Sequence, residues 1–106
     1  MIRNVAIALS LGMLLPLAGR AEVDKKIEKV WKSRCASCHG ADARGQTESG
    51  KKLGIKDYTS PDWQKAHTDE ELKKGITEGV PGMDGYKDKL TPEQVDGLIA
   101  FIRQSK

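Results

Sequence analysis

The chain has 106 residues, 18 Lys and Arg against 15 Asp and Glu, and a formal net charge of +3. That length holds one small domain, and the interleaved, nearly balanced charge, without a basic tract, argues against a nucleic-acid partner. With 38 % hydrophobic and 5 % aromatic residues, so short a chain is marginal unless a disulfide, a metal or a large apolar cofactor staples it.

The first segment is not expected to belong to the domain. Arg3 supplies positive charge, Val5 to Leu17 is a 13-residue run without a charge, and Gly19-Arg20-Ala21 ends in small residues where a signal peptidase reads. This is the layout of a secretory signal peptide, cleaved after Ala21. The run falls short of the roughly 20 residues of a spanning helix, and Pro16 interrupts it. Residues 22–106 are then the mature domain, of 85 residues, with 16 basic and 15 acidic side chains. A lipoprotein anchor is not expected, since no Cys follows the cleavage point. The expected location is the periplasm of a Gram-negative bacterium, with no stable membrane anchor after cleavage.

Asp24 to Cys38 reads as a helix. Ile27, Val30, Trp31 and Arg34 recur at i, i+3, i+4 and i+7 on one face, and Lys25, Lys26, Lys29 and Lys32 take the wet side. Gly40 to Ser60 carries four glycines and reads as a loop, in which Leu53, Ile55 and Tyr58 are the apolar points able to fold over a cofactor. Ser60-Pro61 opens a short helix to about Ala66. Thr68 and Glu71 form a capping box for a helix that stops at Gly79. Val80 to Leu90 is a second loop. Thr91, Pro92 and Gln94 cap the last helix, whose apolar stripe is Val95, Leu98, Ile99 and Ile102. Gly97 within it weakens the helix by roughly 1 kcal/mol relative to Ala. No strand-type alternation and no internal repeat is present.

Cys35 and Cys38 are separated by two residues, and His39 follows at once. The spacing admits covalent haem attachment, with both thiols on one helical turn and the adjacent His beneath the ring centre. It also admits a thioredoxin-like redox pair, half of a zinc site, or a bare disulfide. A redox pair wants a preceding strand, and only a charged helical pattern precedes Cys35. Zinc wants two further ligands, and only His67 remains. A disulfide across so short a loop would stabilise little. Export adds weight to haem, which is attached outside the bacterial membrane. A single C-x-x-C-H limits the chain to one haem.

A second axial ligand on the face opposite His39 is sought next. Met83 is the only Met left after signal removal, and it lies among the turn-forming residues Pro81, Gly82 and Gly85 rather than on an apolar stripe. Thioether ligation would raise the reduction potential. His67 competes, but it sits before the Thr68 cap in polar surroundings and reads as a surface histidine.

These residues resemble the class I cytochrome c family, in its small bacterial, cytochrome c6-like branch. The resemblance runs from Asp24 to Ser105 and is carried by C-A-S-C-H-G from Cys35, V-P-G-M from Val80, and L-T-P-E-Q-V…L-I-A-F-I-R from Leu90. Trp31 and Phe101 match the aromatics where the terminal helices cross. The resemblance implies an all-α cytochrome c fold, with three to five short helices wrapped around one haem c. Cys35 and Cys38 would be its thioether sites, and His39 and Met83 the metal ligands. Two positions depart from the family. Ile27 stands where a Gly often lets the terminal helices touch, which predicts a wider or shifted crossing. Lys51 stands where a Pro carbonyl often accepts from the ligand imidazole, so another backbone carbonyl is expected to orient His39.

The expected function is single-electron transfer by a monomeric carrier rather than enzyme catalysis, with transient redox proteins as donors and acceptors. Lys51, Lys52 and Lys87 are candidates for steering them. The alternatives are a haem-based peroxidase or gas sensor with a displaceable Met83, and a dithiol oxidoreductase without haem.

Overall fold

The structure is a computed structural model, and residues 23–105 are those it describes; the expected signal peptide lies outside them. The chain begins with α1 (Lys25–Val30), continues without a break through a π-helical turn (Trp31–Cys35), and ends this first rod in α2 (Ala36–His39). Then come α3 (Glu48–Leu53), α4 (Pro61–Ala66), α5 (Asp69–Glu78), the two-residue strands β1 (Gly79–Val80) and β2 (Met83–Asp84), and α6 (Pro92–Gln104). The fold is therefore mostly helical, as expected. The antiparallel β1–β2 pair, with Val80 opposite Met83, is an addition to the all-α reading. A two-residue ladder across Pro81-Gly82 is too short to leave a period in the sequence.

The caps explain where the helices begin. Asp24 accepts from the Ile27 N–H at 3.0 Å, and Ser60 caps α4 with Pro61 behind it. Thr68 with Glu71 and Thr91 with Gln94 both close as reciprocal capping boxes. The stretch expected to be loop throughout contains α3, which starts at Thr47, whose side chain accepts from Gly50 N–H, and ends at Gly54 with φ +68°. It lacks an apolar stripe and holds a glycine at its centre, so neither periodicity nor propensity announces it.

The π turn alters the first rod. An i→i+5 turn inserts one residue into the helical count. Arg34, which shares the period of Ile27 and Trp31, is exposed, and Cys35 takes the inner place against the core. The extra residue thus aims the first thiol inward.

The core is small. It joins Ile27 and Trp31 of the first rod to Leu72 of α5 and to Val95, Leu98, Ile99 and Ile102 of α6. Trp31 and Phe101 stack at 4.5 Å between ring centroids where the terminal helices cross. The wider crossing expected from Ile27 is not found. A Cβ at Gly97 would meet Ile27 Cδ1 in overlap and Cγ1 at 2.7 Å. The close approach is kept, with the large residue on the first helix and the glycine on the last.

Gly97→Ala is expected to destabilise the holoprotein by up to about 2 kcal/mol. Overpacking costs about 1–3 kcal/mol and outweighs the roughly 1 kcal/mol that alanine adds to helix propensity. Ile27→Val should recover part of that loss in the double variant. Denaturant unfolding of the four proteins of this cycle checks it, and a stabilised Gly97→Ala would mean that the helices do not touch there.

The far end of α6 is fastened by one guanidinium. Arg103 donates to the His67 carbonyl at 2.6 Å, to the Gln64 carbonyl at 2.8 Å and to Asp69 Oδ1 at 2.8 Å. Gln64 Nε2 donates in turn to the carbonyls of Ile102 and Tyr58. This knot holds α4 and the start of α5 against α6 and fixes Tyr58, which faces the site.

Candidate functional site

Cys35 closes the π turn, and Cys38 and His39 end α2. Both thiols are free and half-exposed, so the bare-disulfide reading is not what the structure contains. Burial pushes the Cys35 thiol up to about 11 against the lowering influence of Arg34. A thiol kept protonated in this way is poorly suited to the thiolate chemistry of a redox dithiol. Among the described residues no three His, Cys, Asp or Glu side chains converge on a metal position.

His39 is half-buried, and burial holds its pKa below the usual imidazole value. At neutral pH the ring is therefore uncharged and keeps a lone pair, as a metal ligand must. Its ring lies between Trp31, at 5.8 Å between centroids, and Tyr58, at 5.0 Å. The His39 Nδ1 atom is buried and meets no hydrogen-bond partner among the described residues. The backbone carbonyl expected to orient it is thus not among its neighbours.

The segment after His39 folds back onto the motif. Gly45 N–H donates to the His39 carbonyl at 2.7 Å, and Thr47 Oγ1 donates to the Cys38 carbonyl at 2.7 Å. Trp31 Nε1 donates to the Gly40 carbonyl at 2.8 Å. Between them lies Ala43, fully buried with φ +64°. This left-handed conformation is uncommon outside glycine, and its carbonyl accepts from Tyr58 N–H. At Gly50 a Cβ would lie 2.5 Å from the Cys38 carbonyl oxygen. Sequence reasoning missed Thr47 and Gly50; the T-E-S-G run, an N-cap followed three residues on by glycine, was the available signal.

Met83 stands half-buried in β2, opposite Val80. Its hairpin is moored to α5 by Tyr86 N–H to the Ile76 carbonyl and Lys87 N–H to the Thr77 carbonyl. Tyr86 also donates from its hydroxyl to the Arg34 carbonyl at 3.2 Å. That bond joins the Met83 loop to the turn that carries Cys35, across 52 residues of chain. On the other side, Gly82 lies against Leu53 of α3. Leu53 and Val80, each 53 % exposed, are the large apolar side chains left uncovered among the described residues, and both border this hairpin.

His67 sits elsewhere. Its Nδ1 pairs with Glu71 Oε2 at 3.1 Å, and its ring leans on Trp63, which stacks on Tyr58. Two rings therefore separate it from His39, and its partner is an exposed carboxylate, the surface role expected of it. Lys51, Lys52 and Lys87 are exposed.

The donor set fits a covalently held haem. It comprises two free thiols on one helical turn, a neutral imidazole beside them, and uncovered apolar side chains bordering a thioether loop tied to the same turn.

Comparison with known proteins agrees. Residues 22–102 match the family described as Cytochrome C oxidase, cbb3-type, subunit III. The chain is 38 % identical over 77 residues to the cbb3-type cytochrome c oxidase subunit CcoP of Rubrivivax gelatinosus, covering 71 % of this chain and 23 % of that protein. It is 28 % identical over 78 residues to cytochrome c6 of Anabaena variabilis, covering 70 % of this chain and 81 % of that protein. It spans about a quarter to a third of the length of its cbb3-type relatives, 23 % of CcoP and 30 % of the FixP subunit of Azorhizobium caulinodans. Among solved structures it resembles the KustC0563 c-type cytochrome with a TM-score of 0.71 and 36 % identity, over 74 % of this chain and 95 % of that one.

Proposed function

This chain belongs to the cytochrome c family, in the branch described as subunit III of the cbb3-type oxidase, and on that footing we propose that it is an exported, periplasmic single-electron carrier with His39 and Met83 as axial ligands. Proteins of this family bind haem c covalently, and Cys35, Cys38 and His39 stand in the C-x-x-C-H arrangement that does so. When bound, the haem supplies a one-electron Fe(III)/Fe(II) couple. The observation that carries the reading is the tie between the two halves of the site: the Tyr86 hydroxyl on the Arg34 carbonyl holds the Met83 loop to the Cys35 turn.

The chain's own residues do three things. Cys35 and Cys38 anchor the cofactor to one helical turn. His39, neutral at physiological pH, presents a lone pair and is walled by Trp31 and Tyr58. Met83, on a hairpin moored to α5, would be the second side chain to hold the iron and would keep small molecules from it; a thioether ligand would favour the reduced state. The carbonyls of Cys38, His39 and Gly40 accept from the neutral donors Thr47 Oγ1, Gly45 N–H and Trp31 Nε1, so this frame need not rearrange when the charge at the centre changes by one.

Partners are proposed to be transient redox proteins, met through small interfaces and steered in part by Lys51, Lys52 and Lys87. The relatives named as oxidase subunits favour a terminal oxidase, or a domain feeding one, as the acceptor. No helix of the described residues is long and apolar enough to cross a membrane. The domain is proposed to be a monomer.

Carbon monoxide added to the reduced protein at neutral pH separates a carrier from a peroxidase or gas sensor. A carrier with Met83 in place binds it slowly and incompletely. Rapid, full binding would favour the sensor or peroxidase reading.

A further inference from the structure

We propose that Thr47 is a positioning residue for the ligand His39: its hydroxyl holds the end of α2, and with it the plane of the imidazole. The proposal rests on the reading of His39 as an iron ligand.

The last carbonyls of a helix have no partner within it. Here the carbonyls of Cys38 and His39, the two final residues of α2, are both taken by the segment that follows. Gly45 N–H serves His39, and Thr47 Oγ1 serves Cys38 at 2.7 Å. The same Thr47 oxygen accepts from Gly50 N–H at 2.8 Å. One hydroxyl thus uses its donor on the haem motif and its acceptor on the first turn of α3. Gly50 lets α3 approach so closely that a Cβ would lie 2.5 Å from that Cys38 carbonyl.

A ligating imidazole is ordinarily tethered through its second nitrogen, which fixes its rotation. At His39 that nitrogen is buried and meets no acceptor among the described residues. Two constraints remain on the ring. One is the contact with Trp31 and Tyr58. The other is the backbone frame from which the side chain springs, and that frame is what Thr47 and Gly45 hold.

The competing role is that Thr47 merely caps α3, and two readouts on oxidised holoprotein separate them. Amide exchange at Gly50 reports the cap. The spread of the paramagnetically shifted haem-methyl resonances reports the imidazole plane. In Thr47→Val, Gly50 exchange is expected to rise roughly five- to tenfold, the worth of about one hydrogen bond, and the methyl pattern is expected to be redistributed. Thr47→Ser keeps the hydroxyl and should keep both. An unchanged methyl pattern in Thr47→Val, with faster exchange at Gly50, overturns the proposal and leaves Thr47 a cap.

If Thr47→Val does not accumulate as holoprotein, the wild type decides. Its Thr47 hydroxyl proton should exchange slowly and lie close to Cys38, and a freely exchanging hydroxyl overturns the proposal. A wild type that lacks covalent haem or the Met–iron charge-transfer band would instead remove the ligand assignments themselves. That result is read before any variant is made.

Discussion

Replacing both Cys35 and Cys38 with alanine is expected to give a protein that keeps no haem on a denaturing gel and loses most of its cooperative unfolding. The reason lies in the size of the core. Nine buried hydrophobic residues carry the described domain, and Leu98 and Val95 are its largest fully buried side chains. Leu53 and Val80, each 53 % exposed, stay uncovered among the described residues. A tightly held group that binds only the folded state stabilises it by about 4 kcal/mol at a thousand times its dissociation constant, and a covalent link makes that binding intramolecular, so the group is not lost to solution. For a domain of this size, such a loss is a large part of the total. Circular dichroism through a thermal ramp checks the expectation. A double variant that melts like the wild type would show that the polypeptide core suffices by itself.

The second large effect is expected at Met83. Met83→Ala should lose the long-wavelength Met–iron charge-transfer band of the oxidised protein and bind carbon monoxide rapidly when reduced, since alanine offers the iron no donor atom. Met83→His should restore six ligands while lowering the reduction potential by a sizeable part of the roughly 0.8 V that axial ligands command, because imidazole favours ferric iron more than thioether does. The hairpin has its own moorings to Ile76 and Thr77, so neither substitution should unfold the loop. Protein-film voltammetry with carbon monoxide titration measures both. An unaltered potential in Met83→His would exclude Met83 as a ligand and send the search to another side chain.

Much of this architecture is legible in the chain. The capping boxes at Thr68 and Thr91 can be read because capping is local: the partner stands three residues away, whatever the rest of the fold does. The C-x-x-C-H motif can be read for the same reason. What escaped depends on contacts between distant segments or on backbone geometry without a side-chain signature. Ile27 alone suggested a looser crossing; only the facing Gly97 shows that the close contact is kept with its partners exchanged. The π turn, which brings Cys35 to the inner face, is invisible to a period of 3.6. Helix α3 was hidden by Gly50, a poor helix former present because the Cys38 carbonyl approaches it. Tyr86, which links the two halves of the site, is one aromatic in a loop until its hydroxyl is seen on the Arg34 carbonyl.

The most direct test of a His39- and Met83-ligated haem is the absorption spectrum of the purified protein, oxidised and then reduced, after expression with a haem-attachment system. The account predicts covalent low-spin c-type haem with sharp bands on reduction, and a Met–iron charge-transfer band in the oxidised form that vanishes in Met83→Ala. A haem-free protein, or a high-spin spectrum without that band, would contradict it.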